Sequence, residues 1–293
     1  MKVAIYGRPF NDPAVIPFIQ QVFDSLAQHR VDIHVHKQLH DYLEGKIVNV
    51  RYHILKGKAF VKEAIDIFIT LGGDGTLLDT VALIRDTGIP VIGINFGRLG
   101  FLASVNKSDI AAAIYAVVNK QFTLDSRELM QISCDCKLFD DDNFALNDIT
   151  FHKRDDAAMI TIHAFINGDF LNTYWGDGVI VSTATGSTAY SLSCGGPIIF
   201  PDSNSVVVTP ISPHNLNVRP IVLPDSGKLS FEVECRSANY LVSCDSRTAV
   251  VDKTMKFDIS KAGFKLNLIR LNNESYLSTL RNKLMWGLDA RNY

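Results

Sequence analysis

Short apolar runs at 3–6, 32–36, 66–71 and 90–96 are rich in Val, Ile or aromatic residues, and the last two end in glycine-containing turns. Between them, 15–29 and 77–85 carry apolar residues every three to four positions, the spacing of one face of a helix. Ser108-Asp109 predicts an N-cap for an Ala-rich helix running toward Lys120, because a small polar side chain can satisfy the free amides of a first turn. This alternation predicts an α/β first domain over 1–122, a Rossmann-like parallel sheet covered by helices. Ligands of such sheets sit beyond the carboxyl ends of the strands, so the turns after Leu71 and Phe96 are the places to search. Residues 37–62 carry the weakest pattern and predict no definite element.

Beyond Lys120 the texture changes to short alternating runs at 129–134, 159–166, 229–235, 240–244 and 265–271. Asn167-Gly168 predicts a tight turn between two of them, since both residues tolerate positive φ. The expectation is an all-β, antiparallel second domain over 123–271, sandwich-like or solenoid-like. A helical tail at 276–286 follows, and 272–293 is expected to pack back on the first domain. There is no repeat of fixed period and no low-complexity tract.

The chain has 293 residues, which at about 150 per domain agrees with two domains. Hydrophobic residues make up 47% and charged residues 20%, the texture of a packed globular protein. A net charge of −2 provides no overall field to hold nucleic acid or an anionic membrane. Five cysteines form an odd set, and the C-x-C at Cys134 and Cys136 lacks a second pair at metal-ligand spacing, so free thiols in a reducing cytoplasm are expected. The N-terminal apolar run is too short for a signal peptide, and no stretch approaches the roughly 20 apolar residues of a membrane span.

The strongest chemical signal is Thr70-Leu71-Gly72-Gly73-Asp74-Gly75-Thr76, which follows a buried-type strand and opens a helix. Glycines let backbone amides approach a bulky anion, and a helix N-terminus adds a favourable dipole, as in a phosphate cradle. The loop matches neither G-x-x-x-x-G-K-[ST] nor G-x-G-x-x-G. A carboxylate inside it would repel phosphate unless a metal or an incoming hydroxyl lies between, which makes Asp74 a candidate base or metal-linked carboxylate. Turn chemistry alone also fits a strand-to-helix turn with Asp74 as N-cap. The second signal is the segment 176–191, where a strand runs into Thr183, Thr185, Ser187, Thr188 and Tyr190. Hydroxyls can bond a base edge or a ribose and a Tyr face can stack on a flat ring, although a polar strand connection has the same composition.

Other groups read more plainly. His152, His163 and His214 lack metal-ligand spacing, and His34 and His36 alternate with valine in a strand, which predicts packed or surface imidazoles. Asp140-Asp141-Asp142 reads as a solvated turn and Lys153-Arg154-Asp155-Asp156 as an exposed hairpin. No G-x-S-x-G elbow accompanies the serines.

Gly72-Gly73-Asp74-Gly75-Thr76, Asn95-Phe96-Gly97-Arg98-Leu99-Gly100-Phe101-Leu102, Ala145-Leu146-Asn147-Asp148, Asp177-Gly178 through Thr185-Gly186-Ser187-Thr188-Ala189-Tyr190, and Ser212-Pro213-His214 with Arg219-Pro220 together resemble the NAD kinase family, in the family's order. The glycine loop is also shared with diacylglycerol, sphingosine and phosphofructokinases, whereas T-G-S-T-A-Y with G-x-L-G-F-L is specific. The resemblance implies phosphorylation of the 2′-hydroxyl of the adenosine ribose of NAD by ATP, with a divalent metal, usually magnesium, in a dimer or tetramer. It implies that Asp74 is the general base and that Gly73, Gly75 and Thr76 face the phosphates. It makes Phe101 a wall beside the adenosine, Asn147 and Asp148 the pair that holds adenosine and ribose hydroxyls, and Asp177 a carboxylate near the nicotinamide. Thr185, Thr188, Ala189, Tyr190 and Ser193 fall in the dinucleotide pocket, and Asp245 retains the acid of a late D-G-Q. The histidine and carboxylate spacings themselves predict no protein-built metal cage.

This chain departs from the family pattern at Ser246-Arg247, where Gly-Gln is usual, and at Tyr174-Trp175-Gly176, where many members carry Arg nearby. Ala184 replaces a common proline, a change expected to be neutral because only a pre-set φ is lost. Two alternatives keep the same residues: a lipid or sphingoid kinase sharing the loop, and a catalytically silent dinucleotide sensor.

Overall fold

A computed structural model describes residues 1–56, 64–97, 100–135, 138–139, 142–154, 159–235, 239–252, 255–271 and 275–285. Arg98, Leu99, Cys136, Asp140, Asp141, Asp155, Asp156 and the tail beyond Met285 lie outside the described residues. The chain divides into two units, Met1–Ser126 with Leu266–Tyr293, and Arg127–Lys265.

The first unit is built on parallel strands. Lys2–Gly7 lies between Asp32–His36 and Ile67–Leu71; His53–Leu55 extends one side, and Val91–Asn95 extends the other. Ile67–Leu71 and Val91–Asn95 are buried at every position, which is why they read as unbroken apolar runs instead of alternating ones. Leu268, at the end of the long strand Lys256–Leu271, pairs parallel with Val91. Helices Ile16–Gln28 and Ile110–Val118 turn Ile19, Val22, Phe23, Leu26, Ile114 and Val117 into one core with the strands.

Residues 37–62, unreadable in the sequence, contain the helix Lys37–Leu43 and the three-residue strand His53–Leu55. The predicted cap at Ser108-Asp109 needs correction. A 3₁₀ turn, Lys107–Asp109, leads into the helix, and Asp109 occupies the N-cap position without a side-chain hydrogen bond. The continuing turn takes the place of the side-chain cap. His34 is buried, as a packed imidazole, with Nε2 3.2 Å from Asp32 Oδ2.

The second unit is a sandwich of two antiparallel sheets. One contains Asp169–Gly176, Ile160–Ile166, Leu229–Glu234 and the first part of Lys256–Leu271. The other runs Ile221–Pro224, Ser205–Ile211, Gly178–Thr183, Asp148–Lys153, Asn239–Cys244, Arg247–Asp252. Phe151 from the second sheet meets Phe231 and Phe257 from the first at 5.1 Å each, and these rings centre the core. Asn167 and Gly168 adopt φ of 52° and 91° in the predicted tight turn. Cys194 and Cys244 are free thiols. No helix among the described residues is long and apolar enough to cross a membrane.

Candidate functional site

In the first unit the glycine loop follows Ile67–Leu71 and opens the helix Asp74–Ile84. Gly73 occupies the N-cap position and makes no side-chain cap bond, so Asp74 is not the cap of its own helix. Its carboxylate reaches the turn after the next strand instead. Oδ2 accepts from the Phe101 amide at 2.8 Å, and Oδ1 accepts from the Leu102 and Ala103 amides at 3.1 and 3.0 Å. A carboxylate offers about four lone-pair sites. Among the described residues one of them, on Oδ2, is left for a ligand. Gly100 is required here, because a Cβ at that position would overlap Asp74 Oδ1. The G-F-L-A stretch therefore acts through its amides and its missing side chain as much as through the Phe101 ring. Lys283, on the tail helix Tyr276–Leu284, holds its Nζ 6.0 Å from the centre of that ring.

In the second unit Asn147 and Asp148 stand at the start of the strand Asp148–Lys153. Asp245 holds them by the backbone: its carboxylate accepts from the amides of Leu146, Asn147 and Asp148 at 2.8, 2.8 and 3.2 Å. Thr183 secures the same segment, its hydroxyl donating to Leu146 O at 2.6 Å and its amide to Asn147 O at 2.9 Å. With its backbone so occupied, Asn147 keeps its side-chain amide clear of hydrogen bonds among the described residues. Burial first, then the Asp245 charge, push the Asp148 carboxyl up to about 7. Burial also raises Asp245 above the usual carboxylate range, although its three amide partners oppose this. Its side chain is 2% exposed, so Asp245 shapes the site from beneath rather than lining it.

Thr185–Thr188 forms a 3₁₀ turn and Tyr190–Ser193 a short helix, so this segment is helical, not a plain polar strand connection. Tyr190 and Ser193 are exposed, Thr188 and Ala189 half-buried, and Thr185 buried. The Tyr190 phenol is raised from its usual range by burial, then by Cys194, Asp148 and Asp177, which places these groups in one neighbourhood. Asp177 is paired with Lys153 at 2.8 Å; Lys153 is therefore part of this neighbourhood and not of an exposed hairpin, as its sequence suggests. Arg127 was invisible in the sequence. It is 4% exposed, and its Nη1 donates to Thr185 Oγ1 at 3.2 Å.

Family models for the ATP-NAD kinase N-terminal and C-terminal domains match residues 6–122 and 146–271. An NAD kinase of Cytophaga hutchinsonii is 44% identical over the full length of both chains, and one of Flavobacterium psychrophilum is 43% identical, also over both full lengths. This chain belongs to the NAD kinase family. It is a phosphotransferase of that family. The same fold is found in a yeast NADH kinase solved with NADH, at TM-score 0.87 and 24% identity, covering 99% of this chain and 89% of that one. An Archaeoglobus fulgidus NAD kinase solved with ATP has a TM-score of 0.75 at 23% identity, covering 97% and 99%.

The departures from the NAD kinase pattern have structural answers. In the turn between Asn239–Cys244 and Arg247–Asp252 the positive φ, 52°, falls on Asp245 and not on Ser246, so the usual glycine is not needed for backbone freedom here. Arg247 donates to the carbonyls of Asp142 and Phe144 and lies 4.9 Å over the Phe144 ring, bracing the segment that leads to Asn147. Trp175 packs against His214 at 4.5 Å between ring centres. Ala184 has φ −57°, the value proline would impose.

Proposed function

We propose that this chain transfers the γ-phosphoryl group of ATP to the 2′-hydroxyl of the adenosine ribose of NAD, giving NADP, as a magnesium-dependent, cytoplasmic homo-oligomer. The observation that carries the reading is the Asp74 carboxylate, fixed by three amides with one acceptor position of Oδ2 left. That oxygen takes the 2′-hydroxyl proton as the O–P bond to the γ-phosphorus forms and the bond from that phosphorus to the β–γ bridging oxygen breaks, releasing ADP. Gly73, Gly75 and Thr76 face the phosphates, the amides of the two glycines turned toward them while the Thr76 amide donates to Gly73 O at 3.0 Å. Phe101 walls the adenosine, Asn147 and Asp148 hold adenosine and ribose hydroxyls, Asp177 stands near the nicotinamide, and Thr185, Thr188, Ala189, Tyr190 and Ser193 shape the dinucleotide pocket. A carboxyl group near neutrality, such as Asp148, both donates to and accepts from a ribose hydroxyl.

Among the described residues no three His, Cys, Asp or Glu side chains gather into a metal cage. A single carboxylate, Asp74, among backbone amides would suit a magnesium ion held mainly by the triphosphate, with Asp74 as its nearest protein carboxylate. Magnesium held in this way supplies neutralisation of the charge on the transferring phosphoryl group.

The C-terminal family match over 146–271 favours this reading over a lipid kinase that shares only the glycine loop. The test is an assay with ATP, magnesium and NAD in which a strictly NADP-dependent dehydrogenase reports product. Asp74→Asn is expected to lower kcat by about 100-fold or more while leaving NAD affinity nearly unchanged. Equal losses of rate and binding would refute the base assignment, and a folded, NAD-binding wild type without product would favour the silent sensor. Sedimentation of the purified chain tests the oligomer.

A further inference from the structure

The glycine loop contains no cationic side chain, and its helix begins with an acid, Asp74. A nucleoside triphosphate brings several negative charges, and phosphoryl-transfer sites meet them with Arg or Lys as well as amides. The first unit places an arginine where that need arises. Gly7 pairs with Leu71 across adjacent parallel strands about 4.8 Å apart. The next residues along the two strands are Arg8 and Gly72, so Arg8 leaves its strand beside the start of the glycine loop at the carboxyl edge of the sheet.

Arg8 is held in a definite pose. Its Nε and Nη2 fork onto Asp79, at 2.5 Å to Oδ2 and 2.6 Å to Oδ1. Asp79 lies four residues after Gly75 in the helix Asp74–Ile84, on the same face one turn along. Tyr6 donates its hydroxyl to Asp79 Oδ2 at 3.1 Å, and burial, then the Asp79 charge, raises that phenol to about 12, which keeps it a donor. The chain Tyr6, Asp79, Arg8 thus fixes a guanidinium at the second turn of the phosphate-loop helix, one turn beyond Gly75. The Arg8 side chain remains 50% exposed, and Nη1 takes no part in the Asp79 fork. The space in front of Gly75 is open among the described residues: beyond its chain neighbours and its own helix backbone, none of their atoms lies within 4 Å of where a Cβ would stand.

We propose that Arg8 is a phosphate-binding residue for the donor triphosphate, oriented by Asp79 and, through it, by Tyr6. The inference rests on the kinase reading, and it adds a charged partner that lies outside both the glycine loop and the sequence motifs. Nη1 meets a phosphate oxygen while Nε and Nη2 stay on Asp79, so the carboxylate fixes the fork without being displaced. Asp79 and Tyr6 are positioning residues and touch no substrate.

The experiment measures MgATP affinity directly by titration calorimetry, beside steady-state KM values for ATP and for NAD, in the full-length chain. Loss of one charge-assisted contact predicts that Arg8→Gln weakens MgATP binding and raises the ATP KM about tenfold or more, with the NAD KM within about twofold of wild type. Arg8→Lys restores part of the affinity through charge alone, and Asp79→Asn and Tyr6→Phe raise the ATP KM by progressively smaller factors. Unchanged MgATP affinity in a folded Arg8→Gln protein overturns the proposal, as does a rise confined to the NAD KM. Should the wild type make no NADP, the calorimetry still decides: weaker MgATP binding in Arg8→Gln supports the arginine while the kinase reading fails.

Discussion

The Asn147 amide donates to Asp245 Oδ1 at 2.8 Å, joining residues 98 apart in sequence. With the neighbouring amides of Leu146 and Asp148 on the same carboxylate, one buried acid fixes the backbone that presents the Asn147 side chain.

Asp245→Ala strips three amides of their partner at once. An orphaned buried donor costs about 1–3 kcal/mol, and at this chain length each kcal/mol moves the melting temperature by about 2–4 °C. A fall of about 5 °C or more is expected, with a raised NAD KM and an unchanged ATP KM. Asp245→Asn, which keeps one acceptor oxygen, should fall between. Calorimetric melts and the two KM values check this, and a variant as stable as wild type would contradict the anchoring role.

Asp148 titrates at about 7 in the folded chain, against 3.8 for an ordinary Asp. Between those values the unfolded chain has lost a proton that the folded chain retains, so this group makes stability fall as pH rises, levelling off above about 7. Asp148→Asn cannot ionise and lacks that slope. Melting temperatures from pH 4 to pH 8 should show the wild type losing ground to the variant as pH rises; parallel curves would count against the raised carboxyl.

Two glycine substitutions should separate in opposite senses. Gly100→Ala forces a methyl group into the Asp74 carboxylate. Displacing a reacting group by about 1 Å costs about 100-fold in rate, so kcat should collapse in a protein that still folds. Gly75→Ala meets open space among the described residues and gains helix propensity of up to about 1 kcal/mol, so the protein should melt no lower than wild type. Its ATP KM should nevertheless rise, because the methyl group stands where phosphates approach. Melting curves and ATP titrations of both variants test this, and an unimpaired Gly75→Ala enzyme would remove the loop from phosphate contact.

Strand-and-helix alternation was readable wherever the apolar period was long, as at 15–29 and 66–71, because burial on one or both faces writes itself into composition. It failed between 37 and 62, where a seven-residue helix and a three-residue strand are too short to establish a period. Asp74, Asn147 and Tyr190 are named as candidates because the resemblance lies in local motifs. The contacts that support them are not. Asp245 is named by the D-G-Q resemblance, but its hold on the Asn147 backbone 98 positions away is not; Arg127 reaches Thr185 across 58 positions, and Arg8 meets Asp79 across 71. The Phe101–Ala103 amides that hold Asp74 carry no side-chain signature at all, and only Gly100 hints at them.

The strand Lys256–Leu271 starts in one unit and ends in the other, with Leu268 beside Val91. During synthesis the ribosome therefore releases the whole second unit before Leu268, the partner of Val91 on the side away from Phe68, exists. Ile94 and Asn95 already pair with Val105 and Asn106, but the Val91 end of that strand is left uncovered until the last strand emerges, and a chain cut after Lys265 would carry that stretch of edge permanently, as a template for pairing with other chains.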